Sequence, residues 1–591
     1  MHLLNVVSRS LDETDTAVDL DQSPADILFL SFSDSDLSAV ARLYAAADPA
    51  LGSARLASLA QLRHPYSVDL YVEKTAQKAR FILVRLLGGR DYWRYGAEEL
   101  SQMARLSGIA LALIPGDGYA DPRLTDLSTV APDDLANLWG AFQEGGEANL
   151  RTAFRWIARQ GQAKTAPLPP PTPVPSFGRF EAACHPKRDD APRASLVFYR
   201  SQYAAGDTAP ICALADALAD RGFAVDSHFV ASLKEPTAAD YIRARCADRS
   251  PTVVLNATAF SSPLDSAGAP VFQVILATGS REAWAESNNG LSATDLAMNI
   301  VLPEIDGRIG TTVIGFKTLT RTAPELEFTP VVQTPDLDQI AVVADLAAAW
   351  ARLAQKPRAQ RRIACILSNY PGKRGREAYA VGLDTPASLL AIADALRDGG
   401  YRIPPLPDSH TLMASLTAEA GEAGLAPEIY NRLFQALPKA FTEAVLETWG
   451  PPPHTAFRFQ TVRAGALVIA LQPDRGRVET RKQSYHDGAE PPSHAYIAFY
   501  LWLRHSVDID ALLHLGTHGT LEWLPGKAAA SAPPVPPRCF WGRCRSFIPS
   551  SSIIPVRPLK PSAEPALSPS ATSRRPSRPP EAPTLCARSK P

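Results

Sequence analysis

Short apolar runs closed by turn residues recur along most of this chain. Between them, apolar positions return every three to four residues. Asp26-Ile-Leu-Phe-Leu-Ser-Phe-Ser33 is one such run, and 36–47 follows it with helical spacing. Phe81-Ile-Leu-Val84 leads to Gly88-Gly89, and Ile109 to Ile114 stops at Pro115-Gly116-Asp117-Gly118. A second series opens at Ser195-Leu-Val-Phe-Tyr199. There Asp207-Thr208-Ala209-Pro210 predicts a capped helix that runs to Arg221 and stops at Gly222, with a further strand from Ala224 to Val230. Pro251-Thr-Val-Val-Leu255 and Val271 to Leu276 predict two more strands. A third series starts at Arg362-Ile-Ala-Cys-Ile-Leu-Ser368, meets the turn Asn369-Tyr370-Pro371-Gly372, and continues in a helix from Thr385-Pro386 to Gly399-Gly400. Ala466 to Leu471 predicts a strand and 495–504 an apolar helix.

Strands alternating with helices predict an α/β fold with buried parallel sheets. The expected organisation is an α/β domain over 1–163, a Pro-rich linker over 164–190, an α/β domain over 191–360, and a second α/β unit over 361–455. A His-rich region follows over 456–527, and a Pro/Arg-rich disordered tail over 528–591. The linker should be extended and stiff, because Pro167, Pro169, Pro170, Pro171, Pro173 and Pro175 fall within eleven residues, 165–175. The fold class is thus several Rossmann-like parallel-sheet domains in a multi-domain chain with a disordered C-terminal tail.

A length of 591 residues agrees with three or four domains. No apolar stretch is long enough to span a membrane, and the polar, acidic start has no signal-peptide pattern, so a cytoplasmic location is expected and no membrane partner. The net charge of −1 hides an asymmetry: residues 528–591 hold 10 Lys/Arg and 2 Asp/Glu, leaving 50 against 59 elsewhere. The acidic body argues against a nucleic-acid partner. Cys184, Cys212, Cys246 and Cys365 lie far apart with no CxxC pair and read as buried thiols.

The tail carries 15 prolines in its 64 residues and begins abruptly after Leu524-Pro525-Gly526-Lys527. Such composition fits a disordered tail. It also fits GC-rich DNA read out of frame. Shifting the codons by one base across Trp541 to Val556 permits Gly-Pro-Leu-Pro-Val-Ile-Tyr-Pro-Phe-Ile-Val-Asn-Asn-Pro-Gly, a credible strand and turn. A frame break between Lys527 and Cys539 is therefore expected, and a gene that cannot encode that offset string would refute it.

Candidate chemistry gathers late in the chain. His514-Leu-Gly-Thr-His518-Gly-Thr-Leu-Glu522-Trp523 sets two imidazoles and a carboxylate four residues apart. On a helix they would share one face and suit a divalent first-row metal, or accept protons. Gly516 and Gly519 favour instead a loop whose backbone approaches a ligand, and a Gly-rich turn with solvated histidines stays open. Tyr485-His486-Asp487 and His494-Ala495-Tyr496 place imidazole, phenol and carboxylate before the apolar helix, where an ordinary helix start is equally consistent. Gln472-Pro473-Asp474-Arg475-Gly476 is a polar turn at a strand's end. Pro371-Gly372-Lys373-Arg374-Gly375 lacks the phosphate-loop spacing, so no ATP site is expected on this chain. The run Tyr92-Trp93-Arg94-Tyr95 either stacks on a planar ligand or packs.

In their order these strings resemble the CobN family of cobaltochelatase large subunits and the related large subunit of magnesium chelatase. Asp91-Tyr-Trp-Arg-Tyr-Gly96, Gly206-Asp-Thr-Ala-Pro210, Val254-Leu-Asn-Ala-Thr-Ala-Phe260 and Gly290-Leu-Ser-Ala-Thr-Asp-Leu-Ala-Met-Asn299 carry the resemblance. So do Leu302-Pro-Glu-Ile-Asp-Gly-Arg308, Gly382-Leu-Asp-Thr-Pro-Ala-Ser388, the Gln472, Tyr485 and His494 strings, and 514–527. The resemblance implies a subunit that binds a tetrapyrrole and inserts a divalent metal, a ligase forming nitrogen–metal bonds. Separate AAA+ partner subunits would supply ATP hydrolysis with Mg2+. For the cobalt branch it implies Co2+ inserted into hydrogenobyrinic acid a,c-diamide in aerobic cobalamin biosynthesis. Insertion must strip water from the cation and remove two pyrrole protons, work that neutral imidazoles and a carboxylate perform near neutral pH. His514, His518 and Glu522 are then the expected metal-delivering or proton-accepting groups. Tyr485, His486, His494, Tyr496 and Trp523 are expected on the macrocycle side. Family members continue past the Leu-Pro-Gly-Lys string, so this chain is expected to be a truncated form without insertion activity. The alternatives are a magnesium chelatase large subunit acting on protoporphyrin IX, a non-catalytic tetrapyrrole-binding module, and a protein whose basic tail binds acidic partners.

Overall fold

The apolar runs become the strands of three larger sheets and a two-stranded ribbon. The computed structural model describes residues 17–160, 166–186, 190–260, 264, 268–287, 290–368, 378, 383–418, 424–476, 490–516, 524 and 545–547. The first sheet holds β1 (Ile27–Ser31), β2 (Ala54–Ser58), β3 (Phe81–Leu86) and β4 (Ala110–Pro115). Their order is β2-β1-β3-β4 and every pairing is parallel. Every residue of β1 is buried, because Ile27 and Phe29 enter one core while Leu28 and Leu30 enter another on the opposite face. That is why the strand is a continuous apolar run rather than an alternating one.

The second sheet comprises β5 (Phe177–Arg179), β6 (Arg193–Tyr199), β7 (Ala224–Val230), β8 (Val253–Asn256), β9 (Val271–Leu276), β10 (Ile309–Leu319) and β11 (Val331–Pro335). Its order is β11-β10-β9-β8-β6-β7-β5, parallel from β10 to β7 with an antiparallel strand at each edge. The last part of the chain supplies β12 (Ile363–Leu367), β13 (Gly424–Leu425), β14 (Phe457–Arg458), β15 (Thr461–Ala464), β16 (Leu467–Leu471), β17 (Ala511–Leu515) and β18 (Arg545–Phe547). β13 and β14 form the ribbon, and the third sheet runs β15-β16-β12-β17-β18 with only β15 antiparallel.

The three sheets share one logic. In each, the first parallel strand lies between the second and the third: β1 between β2 and β3, β6 between β7 and β8, β12 between β16 and β17. Successive connections therefore leave the carboxyl edge in opposite directions, and such a switch point is where open α/β sheets bind ligands.

Several local expectations change in detail. The helix Ala209–Asp220 begins where the sequence places it, but Thr208 caps it by position without a side-chain bond. The Asp207 carboxylate instead accepts the Gln333 N–H of β11 at 3.1 Å. An edge strand's amide otherwise lacking an acceptor claims it, and Pro210 in the first turn needs no donor partner. Residues 166–175 are extended, as their prolines require, but they form a strap rather than a free linker. Leu168 is buried in the first core, and the amides of Leu168, Thr172 and Val174 donate to Asp134, Asn149 and Glu144 at 2.7–2.8 Å. In the tail, Arg545–Phe547 pairs in parallel with β17, whose outer edge offers unpaired backbone groups; composition alone predicted no strand there. The rest of 528–591 lies outside the described residues. Trp93 of the aromatic run packs inside and donates its indole N–H to the Leu62 carbonyl at 2.7 Å, and Tyr92 lies edge-on to Phe32. No helix among the described residues is long and apolar enough to cross a membrane.

The first two sheets are knitted together. Lys317 meets Asp34 at 2.6 Å, Ser38 donates to the Val331 carbonyl at 2.6 Å, and Leu326 is buried in the first sheet's core. The turn before β16 depends on Gly465, which has φ +60°, and a Cβ there would lie 2.3 Å from the Arg402 carbonyl oxygen. Gly465→Ala is expected to lower stability by about 1–3 kcal/mol, combining strain and overlap. An unchanged denaturation midpoint would show that the turn moves aside freely.

Candidate functional site

The carboxyl edge of the third sheet is where the late motifs begin. β16, β12 and β17 end side by side at Leu471, Leu367 and Leu515. Tyr485 and His486 belong to the connection that leaves β16, and His518, Glu522 and Trp523 to the segment that leaves β17. These five lie outside the described residues, as does Pro371-Gly372-Lys373 after β12. Chain connectivity nevertheless starts all three segments from adjacent strand ends.

His514 is the penultimate residue of β17, not a helix residue, so the one-face helical arrangement with His518 and Glu522 does not start from it. Strand alternation decides its surroundings. Leu513 and Leu515 belong to the core on one side, whereas Leu512 and the register partner of His514, Ile366, belong to the core under the helix His494–Trp502. His514 is 1% exposed and stacks on Tyr500 with ring centroids 5.9 Å apart and 26° between planes. Its Nε2 is 3.5 Å from the Tyr500 hydroxyl, while its Nδ1 is buried with no hydrogen-bond partner among the described residues. Burial drives the imidazole down from 6.5 to about 3, so it is neutral at physiological pH. The ring is thus a neutral imidazole, and leaving its buried Nδ1 unpaired costs free energy that a partner there would recover.

Tyr500 is itself held. Gln472, the first residue after β16, donates from Nε2 to the Tyr500 hydroxyl at 2.5 Å and to the Tyr496 hydroxyl at 3.2 Å. Tyr496 and Tyr500 sit one helical turn apart, with centroids 5.1 Å apart, and both are buried. Burial pushes the Tyr500 hydroxyl well above its ordinary value, keeping it protonated. On the other side, Gly516 brings β17 close to the end of β12, because a Cβ there would fall 2.4 Å from Ser368 Oγ. The sequence expectation of close backbone approach at Gly516 thus finds a protein partner.

His494 opens the helix His494–Trp502, whose N-cap Ser493 accepts the Tyr496 N–H. Its Nε2 is 2.9 Å from the Gly450 carbonyl, which can only accept, so Nε2 carries the proton and Nδ1 accepts from the Tyr430 hydroxyl at 2.7 Å. Both nitrogens are engaged in anchoring the helix start, and burial lowers the pKa of the ring. Tyr430→Phe would orphan the buried Nδ1 and is expected to cost about 1–3 kcal/mol of stability. A denaturation midpoint equal to that of the unmutated chain would show that this bond does not hold the helix. Nearby, Arg475 is 1% exposed, donates to the Glu490 carbonyl at 2.6 Å, and accepts the Ser493 N–H on its own carbonyl at 2.7 Å. It pins the turn to the helix start.

The structure therefore brings His514, Tyr500, Tyr496 and Gln472 into one buried polar group at the strand ends, with His494 and Tyr430 beside it. Sequence reading passed over Tyr500; its only mark is the four-residue spacing from Tyr496 in an otherwise apolar helix. Among the described residues, no three His, Cys, Asp or Glu side chains converge to hold a metal.

With this geometry in place, the relatives can be set beside it. A family model described as CobN/Magnesium Chelatase matches residues 139–543, and the chain belongs to that family. The match runs past Lys527, the last residue before the Pro/Arg-rich stretch. The cobaltochelatase relatives match the larger share of the chain. The aerobic cobaltochelatase subunit CobN of Sinorhizobium sp is 37% identical over 92% of this chain and 46% of its own length. That of Pseudomonas aeruginosa (strain PAO1) is 35% identical over 89% and 45%. The magnesium-chelatase H protein of Chlorobaculum parvum is 29% identical over 42% of this chain and 19% of its own length. Among solved structures, the catalytic subunit of cobaltochelatase from Mycobacterium tuberculosis superimposes with TM-score 0.67 at 29% identity, covering 89% of this chain and 45% of that one. The chain spans about half the length of the cobaltochelatase relatives it matches.

Proposed function

We propose that the chain forms part of the tetrapyrrole-binding large subunit of an aerobic cobaltochelatase, which as a whole inserts Co2+ into hydrogenobyrinic acid a,c-diamide in cobalamin biosynthesis; the chain alone is expected to lack insertion activity. The observation that carries this reading is His514, a neutral, buried imidazole at a switch-point strand end with an unengaged Nδ1. In the reaction its neutral imidazole hands the cation to the ring, since the burial that lowers its pKa to about 3 opposes proton uptake. His518 and Glu522, on the segment that follows, supply the base and the carboxylate. Tyr485, His486 and Trp523 are the proposed macrocycle contacts; Tyr496, buried and bound by Gln472, supports Tyr500 rather than touching the ring, and His494 acts by fixing the start of the helix that carries both tyrosines. ATP hydrolysis, with its Mg2+, belongs to AAA+ partner subunits.

The test uses the complete subunit with its ATPase partners. Hydrogenobyrinic acid a,c-diamide with Co2+ is expected to bind and react in preference to protoporphyrin IX with Mg2+. The reverse preference would replace cobalt by magnesium. Tight macrocycle binding with no insertion of either metal would leave a binding module.

A further inference from the structure

The first two sheets point their switch points at each other. A cavity of about 420 Å3 lies between them, walled by Ser31, Ser33 and Arg85 from the first sheet's side and by Arg200, Ser201 and Ala231 from the second's. A second cavity of about 410 Å3 shares Ser201 and Ala231 with it and runs across the carboxyl ends of β6, β7 and β8 to Phe260. Neither belongs to the third-sheet site around His514.

Most polar groups of this cleft are already engaged. Arg85 pairs with Asp36 and donates to the Pro115 and Gly116 carbonyls. Arg200 is spent on Glu144 and on the carbonyls of Gln143, Val174 and Pro175. These arginines build the walls. The far end differs. Phe260 adopts φ +67°, a conformation that favours glycine, and its ring is 39% exposed. A rigid buried frame sets that backbone. Asn256 donates to the Thr258 carbonyl and to Gln273, Gln273 donates to the same carbonyl, and Arg308 donates to Gln273, all at 2.8–3.0 Å. The Phe260 N–H donates to the Met298 carbonyl at 3.1 Å. Over one face of the ring stands Lys234, its ammonium 5.0 Å from the Phe260 centroid and with no carboxylate in ion-pair range among the described residues, so a stacked ligand would use the ring's other face. An aromatic face held out at a strained, over-determined position marks function more often than packing. A lysine beside it complements a flat ring that bears a negative group.

We propose that this cleft binds a flat conjugated anion, its ring stacked on Phe260 and its anionic group on Lys234. The two adjacent cavities share Ser201 and Ala231 as a wall, so a ligand longer than a single ring could lie across both, which favours a carboxylate-bearing tetrapyrrole over a nucleotide. That choice of ligand rests on the chelatase reading; the stacking and the lysine do not.

The full chain is titrated with deuteroporphyrin IX, a dicarboxylate macrocycle, and separately with FMN, a phosphate-bearing flat ring, following absorbance and fluorescence. Phe260→Gly suits the backbone, so it should fold with an undiminished thermal midpoint; Lys234→Gln alters an exposed side chain. Each is expected to weaken deuteroporphyrin binding by about five-fold or more. FMN binding that is lost in the same two variants, without porphyrin binding, supports the site and assigns it a phosphate-bearing ring. Unaltered binding in both variants, or no binding of either probe, overturns the inference. Deuteroporphyrin binding lost in Trp523→Ala, an assigned ring contact of the proposed function, but retained in Phe260→Gly and Lys234→Gln overturns it too, while leaving the proposed function standing.

Discussion

If the proposed function holds, His514→Ala in the complete subunit with its partners is expected to lower the rate of cobalt insertion by about 10–100-fold, the loss that removal of a group supporting a metal produces. The imidazole is neutral, stacked on Tyr500, and carries a buried Nδ1 with no partner among the described residues. Alanine removes the only group on β17 able to hold a cation at that strand end. Macrocycle affinity should change little, because contact with the ring is assigned to other residues. The decisive comparison is kcat against KM for the tetrapyrrole. A fall in kcat alone agrees with the assigned role. An unchanged kcat would remove His514 from the chemistry and leave it a packing residue.

The second large effect is on stability in acid. The His514 imidazole titrates near 6.5 when unfolded and is held down at about 3 by burial in the folded chain. Between those values the unfolded state binds a proton that the folded state refuses. Stability should therefore fall as pH drops from about 6.5 towards 3, with no penalty above that window. Fully realised, the loss is on the order of 5 kcal/mol. His514→Phe keeps a flat ring in the slot without a titrating nitrogen, so its stability should fall less steeply over the same window. Other groups act in the same direction. Burial alone would raise the Asp226 carboxyl, but hydrogen bonds from His228 and Arg179 outweigh that and hold it far below its usual range. Its contribution is also lost in acid, so only the difference between the two chains isolates His514. Urea midpoints at several pH values give that difference. Parallel curves would mean that the folded imidazole takes up its proton without penalty.

Much of the scaffold was legible from local pattern. β1, β3, β4, β6 and β12 are continuous apolar runs bounded by turn residues, and sheets covered by helices on both faces require such strands. The helix Thr385–Asp398 starts at its Asp384 cap with Pro386 in the first turn and stops at Gly399, as its sequence dictates. Gly516 was read as a place where backbone approaches a ligand, and what it approaches in the structure is Ser368. Other details depended on partners distant in sequence. The string Asp207-Thr208-Ala209-Pro210 announced a capped helix, but only tertiary structure showed that the Asp207 carboxylate takes an amide 126 residues away. The proline segment over 166–175 read as an extended, stiff linker, and nothing local reveals that Asp134, Asn149 and Glu144 accept its amides and dock it as a strap. Spacing in the His514 string allowed either helix or loop, and pairing with β12 made it a strand.

The sequence by itself determined the class of fold and the family, because periodicity, turn residues and ordered motifs are local properties that survive without coordinates. Tertiary structure alone decided what each candidate side chain faces. It buried His514 against Tyr500, tied both nitrogens of His494 to Tyr430 and Gly450, and turned the first two switch points towards one cleft ending at Phe260. Those outcomes follow from strand order and register. Such pairings join segments tens to hundreds of residues apart, so no local window of the chain contains them.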